Sequence, residues 1–146
     1  LVNPGAIKEV YQELANDFSA IEPPSLAALF ATYLRNNGLS VDIIDAPALR
    51  LSPGMVGEIV ATHFKPKLVV MVVYGFQPSA STQNMPAAGD TCRAIKQQNP
   101  DIKIMMTGTH PAALPQRTMQ EEAVDFVRQV RVVTRELRRL DGAQRL

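Results

Sequence analysis

An unbroken apolar run, residues 68–74, constrains the fold of this 146-residue chain more than any other feature of the sequence. Four of its seven residues are valines, and no polar residue interrupts it. A β-branched strand without polar alternation needs cover on both faces, as a central strand of a parallel sheet has. The run is too short to cross a bilayer, so it predicts a buried central strand and no membrane span.

Four further β-type segments are expected, with the first read as the last residues of a strand: 1–3, 41–44, 102–106 and 123–127. Helix-type stretches separate them, and a weak helix precedes the last strand. Such alternation predicts parallel strands with right-handed crossovers. We therefore expect an α/β fold: a flavodoxin-like (Rossmann-like) parallel five-stranded sheet with helices on both faces, and residues 68–74 central.

Apolar spacing and capping residues define the expected helices. The first has one apolar stripe, consisting of Leu26, Leu29, Phe30, Tyr33 and Leu34, with Gly38 placed for a C-terminal cap. Ser52 and Pro53 start a second helix, whose expected inner face is Val56, Ile59, Val60 and Phe64. Asn84 and Pro86 open a third. We expect core positions for Tyr33, Met105 and Met106, and a buried Cys92.

Charge and cysteine content limit the partners and the compartment. The formal net charge is +1, but residues 128–146 hold six arginines against two acidic residues. The rest of the chain has no matching basic patch, so the tail is interpreted as a solvated helix face and nucleic-acid binding is not expected. A single cysteine excludes an internal disulfide framework and fits the cytoplasm.

Several common chemistries lack their residues. No glycine-rich dinucleotide motif and no Walker A loop occurs, and no G-x-S-x-G elbow surrounds Ser79 or Ser81. His63 and His110 lie far apart and have no partner at metal-ligand spacing. A protein-bound metal and catalytic residues of this chain are therefore not expected.

The loops that follow the strands are the remaining candidates, because ligands of such sheets bind outside the carboxyl ends of the strands. They span residues 3–22, 45–51, 75–84 and 108–117. Two of them are rich in glycine, proline and small hydroxyl residues, which let backbone approach a large flat ligand. Composition alone fits an ordinary pair of scaffold loops equally well.

An ordered set of short motifs carries a family resemblance across about residues 1–127. The motifs occupy residues 3–4, 22–27, 33–35, 41–46, 77–82, 108–111 and 124–127. Together they resemble the amino-terminal cobalamin-binding domain of cobalamin-dependent radical SAM enzymes, and residues 77–82 resemble the methyltransferase branch. The resemblance implies a domain at residues 1–127 that holds cobalamin at its carboxyl edge, with the nucleotide tail threading into the sheet.

The same resemblance implies the partners and the chemistry of the parent protein. A radical SAM domain of that protein would carry an iron–sulfur cluster and S-adenosylmethionine, and methyl transfer to a substrate radical would follow. The single cysteine cannot supply the three-cysteine cluster motif, so we expect that domain on a missing segment and no enzyme activity from this chain alone. Residues 128–146 depart from the family pattern and are a basic helical tail or the start of a missing segment.

The resemblance also assigns site residues. It places the loop formed by Tyr74, Gly75, Phe76, Gln77, Ser79 and Ser81 under or beside the corrin, and Thr107 and Gly108 next to the nucleotide tail. Asn3, Glu22, Pro23 and His110 complete the expected cofactor-binding set. Residues 3–8 contain no histidine where other cobalamin domains have the cobalt ligand, which implies cobalamin with its own base displaced and no histidine on cobalt.

Alternative interpretations remain open from the residues themselves. His110 stabilises its loop or bonds the ligand, and Glu22 bonds the ligand or lies near a helix dipole. The domain as a whole could instead bind flavin or another small ligand, or it could be a degenerate interaction domain. A flavin site would want a hydroxyl-rich phosphate loop after the first strand, where this chain has Pro4 and aliphatic residues.

Overall fold

Five parallel strands form a single sheet in a computed structural model that describes residues 1–5, 22–75 and 78–128. The strands are β1 (Val2–Asn3), β2 (Ile44–Asp45), β3 (Leu68–Val73), β4 (Lys103–Gly108) and β5 (Phe126–Val127). Their order is β2-β1-β3-β4-β5, which is the flavodoxin-like order. The predicted fold class and the central place of the apolar run are confirmed.

Six helices connect the strands within the described residues. They are α1 (Ser25–Asn36), α2 (Pro53–Ile59), α3 (Pro78–Gln83), α4 (Met85–Gln98), α5 (Thr109–Ala113) and α6 (Pro115–Glu121). A π-helical segment, Val60–Phe64, continues α2. No helix of the described part of the chain has the length and apolarity that a membrane crossing would need.

The expected caps hold the ends of α1 and α2. The Ser52 hydroxyl accepts the backbone N–H of Met55 at 3.3 Å, which satisfies one free donor at the start of α2. Gly38 adopts φ of +80°, and its N–H bonds the Arg35 carbonyl at 3.0 Å. The Leu39 N–H bonds the Leu34 carbonyl at 3.1 Å, which completes a Schellman motif after α1.

One side of the sheet carries the main core. Met71 of β3 pairs with Met106 of β4, and both side chains are fully buried. They pack in one cluster with Val56 of α2 and with Cys92 and Ile95 of α4. We call this side the α4 face. The predicted burial of Met106 and Cys92 is confirmed, because both positions fall on this face.

The opposite side carries the residues that alternate with those of the core, since strand side chains point to the two faces in turn. Val72 and Thr107, at the carboxyl ends of β3 and β4, are buried there. Val70 and Met105, nearer the amino ends, are only half-buried. Met105 therefore lies at the margin of the core, although a core position was predicted for it. Helix α1 lies on this side, so we call it the α1 face.

Two predicted core positions are wrong. Tyr33 is 68% exposed, because α1 turns Ala27 and Ala31 toward the sheet and its larger apolar residues outward. Phe64 is 37% exposed, because the π-helical segment rotates it away from the face that helical spacing predicts. The Lys65 N–H bonds the Val60 carbonyl at 2.9 Å, five residues back.

Candidate functional site

The carboxyl ends of β1 and β2 present a paired polar group. Asn3 and Asp45 are register partners, and the Asn3 Nδ2 donates to Asp45 Oδ1 at 2.9 Å. Both side chains are partly buried. From β1 the chain crosses to β2 on one side, and from β3 it crosses to β4 on the other side. Ligands of such sheets bind at the switch point between these two strands. Asn3 lies on one side of it and Tyr74, directly after β3, on the other.

Tyr74 and Thr107 form the next part of the edge, on the α1 face. The Tyr74 hydroxyl lies 3.4 Å from the Thr107 Oγ1, so the two hydroxyls form one hydrogen bond at the ends of β3 and β4, in which either can donate. The Phe30 ring of α1 packs edge-on against the Tyr74 ring, with centroids 6.4 Å apart. Helix α1 is therefore anchored on this face beside Thr107.

Ser81 joins three elements at the ends of β3 and β4. Its buried hydroxyl donates to the Val73 carbonyl at 2.6 Å and accepts the His110 backbone N–H at 3.0 Å. The Asn84 side chain adds a second link, donating to the Tyr74 carbonyl at 2.8 Å. These bonds hold α3 and α5 against the strand ends, so both helices are anchored at this edge.

Gly75 and Gly108 are required by the packing of the chain itself. A Cβ on Gly108 would overlap the Val73 carbonyl oxygen, and it would lie 3.0 Å from the Ser81 Oγ. A Cβ on Gly75 would overlap the Ala80 side chain. The space beside Gly108 is therefore filled on the α4 face. Any ligand group that reaches Thr107 has to approach from the α1 face.

His110 is half-buried and has an oriented ring. Its Nδ1 lies 2.9 Å from the Thr82 Oγ1, so the Thr82 hydroxyl and the imidazole satisfy each other. Nε2 remains the ring atom directed away from that bond. His63 is exposed and stacks edge-on with Phe64, at the end of the π-helical segment. The structure thus supports a loop-stabilising role for His110 and leaves one nitrogen for a ligand.

The remaining predicted site residues divide into two groups. Glu22, Pro23 and Ser79 are exposed near the starts of α1 and α3, at the carboxyl edge. Phe76 and Gln77 lie outside the described residues. The predicted loop at residues 75–84 is largely helix α3, because Ser81 and Asn84 bond strand-end carbonyls and stabilise a helical turn.

Sequence reasoning missed two contributors to this edge, Thr82 and Asp45. Thr82 lies in a segment of small residues, and the sequence does not reveal its hydrogen-bond partner, because His110 is 28 positions away. Asn84 was expected to cap α4, but its side chain bonds the Tyr74 carbonyl instead. Among the described residues, no three of the His, Cys, Asp and Glu side chains are grouped so that they could hold a metal ion.

A family comparison identifies the domain. The family model described as B12 binding domain matches residues 14–136, well over half of the chain. The chain belongs to the B12-binding domain family. Cobalamin is the ligand that this membership indicates, in agreement with the motifs along the sequence and with the flavodoxin-like sheet. No curated protein and no solved structure matches the chain significantly.

Proposed function

We propose that this chain is the cobalamin-binding domain of a cobalamin-dependent radical SAM methyltransferase. Membership of the B12-binding family supports the cofactor, and the ordered motifs at residues 22–27, 77–82 and 108–111 support the enzyme class. In that role, residues 1–127 form the binding domain and residues 128–146 are a tail or the start of a further segment. The parent protein supplies the radical SAM domain, and S-adenosylmethionine generates the substrate radical there.

The carboxyl edge fits the cofactor. A corrin is broad and flat, with amide groups around its rim, and the edge offers separated hydrogen-bonding groups on rigid elements. Asn3, Tyr74, Thr107 and His110 are the polar side chains near the switch point and the ends of β3 and β4. Such a set can orient a large ligand through its rim while backbone forms the platform.

The closed α4 face suggests where the nucleotide tail runs. Val73 and Ser81 fill the space beside Gly108, whereas the Thr107 hydroxyl faces the side that carries α1. Tail atoms that enter the sheet layer would therefore pass Tyr74 and Thr107 on the α1 face. Phe30 lies at the same entrance and would contribute an apolar wall.

Methyl transfer is the chemistry that bound cobalamin supplies, and this chain's residues serve to bind and orient it. Cys92 cannot contribute a cluster ligand, because its side chain is fully buried in the core. Burial, with a smaller effect of Glu122, raises the pKa of the Cys92 thiol to about 12 and keeps it protonated. The iron–sulfur cluster of the proposed enzyme therefore belongs to the partner domain.

Two details of the proposal concern the cobalt ligands. His110 is held by Thr82 and lies after β4, away from the β1 loop where a histidine ligand would be expected. We therefore assign His110 to a corrin amide or to its own loop, with cobalamin bound base-off and without a histidine. A flavin or another small ligand at the same edge is the competing function, and the polar rim alone does not select against it.

Retention of cobalamin tests the proposed cofactor. The full chain is incubated with hydroxocobalamin, desalted and examined by absorbance, with riboflavin 5′-phosphate as the competing ligand. We expect retained cobalamin and no retained flavin. Ser79→Trp should abolish retention by placing an indole at the carboxyl edge, whereas Gln97→Trp, exposed near the opposite end of α4, should not. Retention of flavin instead of cobalamin would contradict the proposal.

The enzyme class needs a separate test, on a longer protein that joins this chain to the proposed radical SAM domain. Anaerobic cluster reconstitution should then yield 5′-deoxyadenosine from S-adenosylmethionine, whereas the present 146 residues should yield none. Product from the 146 residues alone, or none from the longer protein with its cluster assembled, would remove the radical SAM assignment and leave cobalamin binding intact.

A further inference from the structure

Four strands contribute one row of side chains at the carboxyl edge of the sheet. Asn3 pairs with Asp45, the register of β1 on β3 places Asn3 beside Val72, and Val72 pairs with Thr107. The residue before each of them packs in the core cluster of the α4 face, so all four side chains point to the α1 face. We call these four positions the carboxyl-end row.

The carboxyl-end row carries two polar pairs of different chemistry, separated by the buried Val72. The Tyr74 and Thr107 hydroxyls form one pair, and each hydroxyl can donate or accept. Asn3 and Asp45 form the other, in which the carboxylate can only accept. At a strand spacing of about 4.8 Å, β2 and β4 lie roughly 14 Å apart, so the two pairs meet different parts of a ligand.

The Asp45 carboxylate is held in one orientation and has an oxygen to spare. Asn3 Nδ2 donates to its Oδ1 at 2.9 Å, and the Leu49 N–H bonds its backbone carbonyl at 3.1 Å. Within residues 1–5, 22–75 and 78–128, no donor bonds Oδ2 and no cation pairs with Asp45. A partly buried carboxylate of this kind favours an N–H donor from a ligand and disfavours a second negative charge.

We propose that Asp45, oriented by Asn3, accepts a hydrogen bond from a corrin side-chain amide and so selects amide-bearing corrins over their carboxylate forms. The inference rests on the proposed cobalamin function, in which the nucleotide tail passes Tyr74 and Thr107. Ligand groups over β2 then belong to the corrin rim, most of whose side chains end in primary amides. Hydrolysis of the amide at Asp45 replaces an attractive N–H with a repelling carboxylate.

Cobalamin monocarboxylic acids test the selection directly. In the b, d and e acids one propionamide is hydrolysed, while the cobalt and the nucleotide tail are kept. These side chains project from the face of the corrin that carries the tail. Equilibrium binding to the full chain at neutral pH should be about 10- to 100-fold weaker for at least one of these acids than for cobalamin, which is the range for one hydrogen bond to a charged group.

Asp45→Asn should restore most of the affinity for that acid. The amide oxygen of the new side chain still accepts from Asn3 Nδ2, so the pair is kept, and its N–H can donate to the ligand carboxylate. Asp42→Asn is the matched control, because it removes the same charge from an exposed position three residues earlier and should leave the discrimination unchanged. Asn3→Ala should reduce the discrimination, since the Asp45 carboxylate then loses its orientation.

The outcomes separate this inference from the proposed function. Equal binding of cobalamin and all the acids by the wild type overturns the selection and leaves the cofactor assignment intact. So does a loss of affinity that persists in Asp45→Asn, provided that its urea midpoint matches that of the wild type. Failure of the wild type to retain cobalamin removes the proposed function and this inference with it. The comparison of ligands on the wild type needs no variant, so it decides the matter even where a substitution disturbs folding.

Discussion

The Ser81 hydroxyl donates a 2.6 Å hydrogen bond to the Val73 carbonyl oxygen and so ties helix α3 to the last residue of the central strand. The same oxygen accepts the His110 N–H, which extends the link to α5. A single buried side chain therefore positions both segments that border the carboxyl ends of β3 and β4. The geometry of the proposed corrin platform depends on it.

Removing this hydroxyl should cost stability as well as site geometry. Ser81→Ala leaves a buried carbonyl and an N–H without their partner, which we expect to lower the free energy of unfolding by about 1–3 kcal/mol. Cobalamin affinity should fall further than stability alone explains, because α3 and α5 lose their common anchor. Urea denaturation and equilibrium binding measure the two effects. Ser79→Ala, exposed on the same helix, should change stability little, and equal losses in both variants would contradict this role.

Two glycines of α2 should respond in opposite directions to the same substitution. A Cβ on Gly57 would lie 2.8 Å from the Ala94 carbonyl oxygen of α4, whereas a Cβ on Gly54 would meet open space. Gly57→Ala forces the two helices apart and should cost about 1–3 kcal/mol. Gly54→Ala should leave stability unchanged or raise it by up to about 1 kcal/mol. Thermal unfolding of both variants checks the pair, and a tolerated Gly57→Ala would mean that α2 and α4 are less closely packed than described.

The Cys92 thiol should not react with thiol reagents until the domain unfolds. Burial raises its pKa to about 12, so thiolate is scarce at neutral pH, and the side chain is inaccessible. We expect native protein to react with a thiol-specific disulfide reagent only at the rate of unfolding. A Cys introduced as Ser79→Cys should react at once in the same sample. Rapid labelling of Cys92 in folded wild type would show an opening of the α4 face.

Local signals predicted the framework well. The central strand followed from an apolar run that only double cover explains, and Gly38 and Ser52 marked helix ends because capping depends on neighbours within a few residues. The site was less predictable. Asn3, Tyr74 and Thr107 could be placed at one edge, since parallel strands bring their carboxyl ends together, but their partners lie tens of residues away.

Tertiary packing determines the features that could not be predicted from the sequence. In α1 the small residues Ala27 and Ala31 face the sheet, and the large ones point outward. Hydrophobicity alone ranks Leu29 and Tyr33 as core, because it contains no information about how closely a helix approaches a sheet. Strand register, which hydrophobicity does not reveal, assigns Val70, Met105 and Phe126 to one face of the sheet.

Asp125 should make stability depend on pH at the amino edge of the sheet. Partial burial alone would raise its pKa, but hydrogen bonds from Lys96 Nζ at 2.7 Å, the Ile104 N–H at 2.9 Å and Lys103 Nζ at 3.1 Å outweigh burial. They lower the pKa to about 2. Because the folded pKa lies below the unfolded value of about 4, the stabilisation is complete above pH 4 and fades as pH falls toward 2.

The test compares Asp125→Asn with wild type across that range. At pH 7 the variant should lose about 1–3 kcal/mol of unfolding free energy, since one carboxylate accepts three hydrogen bonds. The difference should shrink steadily between about pH 4 and 2, where wild type also loses the charge. Asp101→Asn serves as the matched control, because Asp101 is exposed in the turn before β4. A difference that stays constant down to pH 2 would contradict the assignment of the effect to the Asp125 carboxylate.

Cobalt coordination offers a test of the histidine-free assignment. His110 follows β4, away from the loop after β1 where a histidine ligand would be expected, and His63 lies exposed at the end of the π-helical segment, so we expect neither ring on cobalt. Electron paramagnetic resonance of the bound cob(II)alamin state should show no superhyperfine splitting from an axial nitrogen. His110→Ala should weaken binding only by the roughly 0.5–1.5 kcal/mol of one hydrogen bond. Splitting that disappears in His110→Ala would establish a histidine ligand, and splitting that survives in both histidine variants would show that the cofactor's own base stays on cobalt.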